Sequence, residues 1–273
     1  MVEVIEKTKA NPGEVILETE NVVCRNMMGR KVLDGVSLKA RKGEILGLAG
    51  VEGNGQHEIL EAIAGMYRVA EGKVKLNGQD ITNNSIRKIR DLGIAHIPED
   101  RMVHGSAKKM NVMENILAGK HQDKEMNGKV FLNKKKIAER AEHLIEEFKI
   151  KCSGKDQEIG MLSGGNIQKV VVAREFSTDP QLILVDQPAR GIDVGAATFI
   201  RERLVQLRDE GKAIILNSAD LNEVLGLSDS LAIFYNGKIA AFFEDTSELT
   251  EEELGLYMLG VKKQTMEEGD DTK

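Results

Sequence analysis

An α/β fold with a mostly parallel core sheet is predicted by three observations. Short apolar runs of strand length, Leu182–Asp186, Ala213–Asn217 and Leu231–Tyr235, alternate with the helical patterns Val194–Glu210 and Asp220–Gly226. Such alternation makes the helices crossovers between parallel strands. A glycine-rich turn, Gly50–Gly55, joins a further strand to a helix, the place where folds of this kind meet anions. The 273 residues are 41% apolar and 30% charged, which suits a folded core and excludes a disordered chain. A formal net charge of -6 argues against nucleic acid as a partner, because phosphate-backbone binding rests on clustered Lys and Arg. Two cysteines, Cys24 and Cys152, give no disulfide framework and read as buried or idle thiols in a reducing compartment. No apolar run approaches the ~20 residues of a membrane span.

Residues 1–13 are charged, lack a signal-peptide core and read as a linker. Residues 14–262 then read as one nucleotide-binding domain and residues 263–273 as a flexible, acidic tail. Glu14–Gly50 alternates apolar runs with Gly-containing turns and predicts a small N-terminal antiparallel sheet. Asn77-Gly78 and Asn236-Gly237 supply the positive-φ pairs of tight hairpins. Helical spacing takes over after Arg101, at Val112, Asn115 and Ile116 and again at Ile137, Ala141, Leu144, Ile145 and Phe148. This marks an inserted helical subdomain over about residues 101–178. Glu251–Glu253 starts a last helix, with Ser247 or Thr250 as its cap.

The first chemical signal is Gly50-Val51-Glu52-Gly53-Asn54-Gly55-Gln56-His57, between the strand Glu44–Ala49 and a helix carrying Ile59, Leu60 and Ile63. Gly50, Gly53 and Gly55, with Asn54, let backbone N–H groups converge on an anion. In the P-loop pattern G-x-x-x-x-G-K-[ST], Lys meets the β- and γ-phosphates and the hydroxyl holds Mg²⁺. Here Gln56 and His57 stand at those positions. Taken alone, the loop reads either as a weak phosphate cradle or as a ligand-free turn.

The second signal is Leu162-Ser163-Gly164-Gly165-Asn166-Ile167-Gln168, opening a helix that runs to about Ser177. A Ser hydroxyl and two glycines ahead of a helix present unhindered N–H donors and a positive dipole end to a phosphate. This stretch resembles the signature of ATP-binding-cassette ATPases. Leu182–Asp186, followed by Gln187 and Pro188, resembles the Walker B strand of that family, and Gly191-Ile192-Asp193 its D-loop. The resemblance covers about Glu14 to Gly260 and implies a P-loop NTPase-like fold. It is nearest to the second cassette of fused two-cassette ATPases of bacterial simple-sugar and nucleoside importers. Gly-Val-Glu-Gly-Asn-Gly-Gln in the loop, His96–Arg101 and Asp186–Asp193 carry that narrower match. On this resemblance the chain is half of a longer polypeptide or a separately encoded half.

Several positions depart from a working ATPase. Gln56 lacks the charge of Lys; a charge-assisted hydrogen bond is worth ~1.5–3 kcal/mol, so nucleotide should bind about tenfold to a hundredfold more weakly. His57 replaces the hydroxyl that would help Asp186 hold Mg²⁺. Glu99 stands where the family has its Q-loop Gln. Gln187 replaces the catalytic Glu, and an amide can orient water but cannot take its proton. Ala219 stands where the resemblance implies a switch His, and Cys24–Arg30 offers no aromatic ring to adenine.

Cassettes of this family pair head to tail, each ATP site joining one phosphate loop to the other's signature. The resemblance therefore implies that Leu162, Ser163, Gly164, Gly165, Asn166 and Gln168 serve a partner cassette, with Asp193 in the D-loop. The chain's own loop would hold ATP or ADP weakly and hydrolyse little. The implied partners are the N-terminal cassette of the same ATPase or a second cassette chain, integral membrane permease subunits, and indirectly an external solute-binding protein. The implied location is peripheral, at the cytoplasmic face of the membrane. Met110–Gly119 is the candidate segment for permease docking; the methionines Met102, Met110, Met113 and Met126 read equally as core filler. Two other readings stand beside this one: a regulatory cassette without transport coupling, and an independently active ATPase with Glu99 as base.

Overall fold

A computed structural model describes residues 7–119, 133–262 and 264 of the protein. The expectations for residues 1–6, for the tail beyond Gln264, and for Met126 fall outside the described residues. The chain forms two compact units, one built from the segments up to Ile94, Gln181–Asp186 and from Leu204 onward, the other from Ala95–Pro180 and Gln187–Arg203.

The first unit holds two sheets. β1 (Val15–Arg25) pairs antiparallel with β2 (Lys31–Arg41) and with β4 (Val69–Leu76), and β4 turns into β5 (Gln79–Asp80), giving the order β2-β1-β4-β5. The hairpin turn places Asn77 at φ 48° and Gly78 at φ 77°, as its sequence predicts. In the larger sheet, β3 (Glu44–Ala49) lies between β8 (Ala213–Asn217) and β9 (Ser230–Tyr235), both parallel to it, and β7 (Leu182–Asp186) is parallel to β8. β10 (Lys238–Phe243) returns antiparallel along β9 through Asn236 and Gly237. β6 (Ile94–Ile97) leads into the second unit.

One expectation is corrected here. The Glu14–Gly50 stretch does not make one small sheet, because β3 joins the parallel one. β2 alternates buried and exposed positions, whereas every residue of β3 is buried, the pattern of a strand covered on both faces. Helix α1 (Gln56–Ile63) packs Ile59, Leu60 and Ile63 into a core with Leu46, Leu48, Leu184 and Ile215. α2 (Ile86–Asp91), capped by Ser85, follows β5. Helices α7 (Leu221–Leu227) and α8 (Glu251–Met258) contribute Val224, Leu254 and Tyr257 to a second cluster with Ala49, Leu231 and Ile233. Thr250 is the cap of α8, accepting from the Glu253 N–H.

Glu44, at the head of β3, is 6% exposed and accepts the Arg41 N–H at 3.2 Å. Burial pushes its carboxyl pKa up, so ionising it costs more in the native state than in the unfolded chain. The stability cost of ionising it is absent below the ordinary carboxylate pKa and fully present once pH exceeds the raised native value. Glu44→Gln keeps an acceptor for Arg41 and removes the charge. It is expected to raise the urea midpoint at pH 7 and to lose that advantage as pH falls through the carboxylate range.

The second unit is mainly helical. Arg101–Gly105 forms a single π-helical turn, followed by α3 (Val112–Leu117), α4 (Lys134–Glu147) and α5 (Gly164–Phe176). α5 buries Val170, Val171, Val172 and Ala173 together, as a helix covered all round must. Phe148 anchors the packing with ring centroids 6.4 Å from Phe176 and 6.1 Å from Phe199. Buried Asn115 is satisfied by backbone: its Oδ1 accepts the Ala107 N–H at 2.8 Å and its Nδ2 donates to the Asn111 carbonyl at 2.9 Å. That ties down the turn before α3, where Asn111 and Glu114 form a capping box and Met110 is 44% exposed. α6 (Val194–Asp209) starts in this unit and ends in the first.

Candidate functional site

In the first unit, buried β3 delivers Gly50 at the mouth of the parallel sheet. A Cβ on Gly50 would lie 2.4 Å from Gln56 Nε2 and 2.8 Å from the Phe234 carbonyl, so the loop's opening residue has to be glycine. The β9–β10 hairpin holds the loop from the side: the Asn236 N–H donates to Asn54 Oδ1 at 2.7 Å and the Gly237 N–H to the Asn54 carbonyl at 3.0 Å. Gly53 and Gly55 adopt φ 85° and 114°, and no side chain caps the start of α1. Gln56 turns back into the loop. It is 5% exposed and its Nε2 donates to the Val51 carbonyl at 3.4 Å.

His57 lies against the end of β7. Its Nδ1 is 2.5 Å from Asp186 Oδ2 and its Nε2 3.4 Å from Glu61 Oε1. These two carboxylates, the Asp186 hydrogen bond foremost, push the imidazole pKa up to about 10 against a smaller opposing effect of burial. At neutral pH the ring is a cation. Asp186 is fully buried, and its other oxygen accepts the Asn217 amide at 2.7 Å. Ala219 is exposed beside the pair of Ser218 Oγ with Glu223 Oε2, 2.6 Å apart.

In the second unit, Ser163 precedes α5 without capping it, whereas Ser85, Asn111, Asn133, Asp220 and Thr250 all accept first-turn N–H groups of their helices. Its Oγ instead accepts the Asn166 amide at 2.8 Å, while Asn166 Oδ1 accepts the Lys151 N–H at 2.8 Å. The signature thus has an exposed serine, held in place by Asn166, at an α-helix start that Ser163 leaves uncapped. Leu162 and Gly164 are half-buried there. Gln168 is 3% exposed and belongs to the interior of the unit, not to the presented tip; the expectation that it is offered outward is corrected on that ground. Gly165 is where the D-loop closes in: a Cβ there would meet Asp193 Oδ2 at 2.5 Å and Ala196 Cβ at 2.8 Å. Asp193 Oδ1 in turn accepts the Ala196 N–H at 2.9 Å, fixing the first turn of α6.

Gln187 adopts φ 48°, a left-handed turn directly after β7, and its carbonyl accepts the Arg190 N–H at 3.1 Å. Glu99 is ion-paired to Arg190. Sequence reasoning gave no role to Arg101, Asn217 or Glu61. Arg101 donates to the Arg190 carbonyl at 2.8 Å and to the Gly191 carbonyl at 3.0 Å, stitching the segment after β6 to the D-loop. Glu61 was discoverable, because it lies one helical turn from His57. Arg101 and Asn217 meet their partners only through the tertiary fold.

A glycine-rich loop between β3 and α1, a β7 strand ending in Asp186, and a Ser-Gly-Gly helix tip on an α/β scaffold define an ATP-binding-cassette domain. Residues 33–190 match the family described as ABC transporter, and the chain belongs to that family. It is similar to the nucleoside import ATP-binding protein NupA of Lactococcus lactis subsp. cremoris, with 41% identity across 94% of this chain and 51% of that protein. The guanosine import ATP-binding protein NupO of Bacillus subtilis is 39% identical across 93% of this chain and 50% of its own length. The ribose import ATP-binding protein RbsA of Clostridium perfringens is 40% identical across 84% and 44%. The chain spans about half the length of the curated relatives it matches. The crystal structure of a nucleotide-free ATP-binding cassette from an ABC transporter superposes with a TM-score of 0.72 at 28% identity, covering 90% of this chain and 96% of that one. Among the described residues no helix is long and apolar enough to cross a membrane.

Proposed function

We propose that the chain is one cassette of the ATPase pair that drives import of nucleosides or simple sugars, and that it corresponds to the second cassette of a fused protein. In this reading Ser163, Gly164, Gly165 and Asn166 complete the ATP site on the phosphate loop of the other cassette. The chain's own loop holds ATP or ADP weakly and leaves hydrolysis to its partner. Permease subunits in the membrane dock against Met110–Gly119, an external solute-binding protein supplies the solute, and the cassette works peripherally at the cytoplasmic face.

The observation that carries this reading is an asymmetry between two phosphate-binding elements. The signature tip is uncapped, and its exposed serine is held by Asn166. The loop is filled by its own side chains: Gln56 turns inward, His57 covers Asp186, and an amide stands at position 187 where a base is needed. A preorganised set of donors aids phosphoryl transfer wherever it is supplied from, because such catalysis is mostly positioning and charge stabilisation.

Steady-state phosphate release by the purified chain with Mg²⁺ and ATP tests this. No turnover above buffer is expected, together with Mg²⁺-dependent turnover once the partner cassette is added. Robust hydrolysis by the chain alone overturns the proposal.

A further inference from the structure

Mg²⁺ is the ion that an ATP-binding cassette ordinarily pairs with its nucleotide, and the residues around this loop do not fit it. Mg²⁺ requires near-octahedral oxygen ligands at about 2.0–2.1 Å and usually keeps several waters. Asp186 is the one carboxylate at the end of β7, and each of its oxygens already accepts a contact from within the protein. Oδ2 is taken by His57 at 2.5 Å and Oδ1 by the Asn217 amide at 2.7 Å. No hydroxyl stands after Gly55, where Gln56 and His57 follow directly. Glu61, one turn along α1, is drawn to the far nitrogen of the same ring at 3.4 Å. The imidazole is therefore bracketed by two carboxylates, and Asp186 is anchored from both sides before any ligand arrives.

We propose that this loop takes its nucleotide free of divalent metal, the ligand class being an uncomplexed nucleoside di- or triphosphate, with the His57 ring occupying the seat of the cation. The inference deepens the proposed function and rests on its claim that the loop binds nucleotide at all. The phosphates would meet the backbone N–H groups of Gly53, Gly55 and the start of α1, with the imidazole edge in place of a metal. A free nucleotide needs no rearrangement of the His57–Asp186–Asn217 row. A metal complex would have to compete with the His57 and Asn217 contacts at Asp186. Added Mg²⁺ would then act as a competitor, withdrawing ligand from solution. Apparent affinity should fall in proportion to the fraction of nucleotide left uncomplexed, about tenfold when nine-tenths is chelated.

Calorimetric titration of the whole chain with ATP and with ADP, in excess EDTA and then in excess Mg²⁺, reads this directly. Tighter binding in EDTA is the expected result. Mn²⁺ added to the nucleotide-loaded protein should give no protein-bound signal in electron paramagnetic resonance. Tighter binding with Mg²⁺, or Mn²⁺ held at the protein, overturns the inference while leaving weak nucleotide binding intact. Absence of binding in both buffers removes the underlying reading and this inference with it. His57→Ser uncovers Asp186 and supplies a hydroxyl, and should reverse the order of the two affinities. The wild-type titration decides the matter even if that variant does not fold.

Discussion

Gly165→Val is expected to cut ATP turnover of the two-cassette assembly by about 10²–10³-fold, the loss that follows removal of one preorganised donor from a catalytic site. The cause is steric. A branched side chain at Gly165 has to enter the space held by Asp193 Oδ2 and Ala196 Cβ, so either the helix tip or the D-loop must withdraw. Circular dichroism and thermal melting of the variant separate this from unfolding. Ser163→Glu, at an exposed position, tests the same tip by charge alone, because a carboxylate beside the first-turn N–H groups of α5 repels phosphate. Unchanged turnover in both variants would show that the tip contributes nothing to the partner's site.

The largest expected loss of stability lies far from any phosphate. Arg208, at the end of α6, is 1% exposed. It donates to Asp229 Oδ1 at 2.9 Å, to Asp209 Oδ1 at 2.6 Å and to the Thr8 carbonyl at 3.0 Å. Asp229 Oδ2 accepts the Ile45 N–H at 2.9 Å, and Lys7 approaches Oδ1 at 3.1 Å. One guanidinium thus ties residue 8, the end of α6 and the start of β3 to a nearly buried carboxylate. Arg208→Met leaves Asp229 buried with Lys7 as its remaining cationic contact among those described, and should cost about 3–5 kcal/mol in urea unfolding. The double variant Arg208→Met/Asp229→Asn should recover part of that loss, since it removes the unpaired charge. A loss below about 1 kcal/mol would show that solvent reaches the pair.

Much of the fold was legible because local periodicity and turn chemistry agreed with it. Leu182–Asp186 and Ala213–Asn217 are strands with the bounds their apolar runs imply, and both Asn-Gly pairs turn hairpins. β3 belongs to the parallel sheet and not to the N-terminal one, which its sequence does not reveal, because an apolar run shows that a strand is buried, not which strands cover it. The motifs were legible for the same reason, being contiguous. Their state was not. Gln168 reads as a member of the signature by position, yet helical rotation carries it inward.

The chemistry of each motif follows from residue type alone: an amide at 56 has no charge, an imidazole at 57 is no hydroxyl, an amide at 187 accepts no proton. Those limits hold whatever the chain's shape, because they belong to the functional groups. Only the tertiary structure joins His57 to Asp186, 129 residues apart, closes Asn217 on the other oxygen and leaves Ser163 uncapped. Strand order decides such contacts, since β3 and β7 each lie beside β8 and bring the loop and the aspartate to one end of the sheet. The contacts of 2.5 and 2.7 Å on Asp186 depend on that order, and no sequence period encodes it.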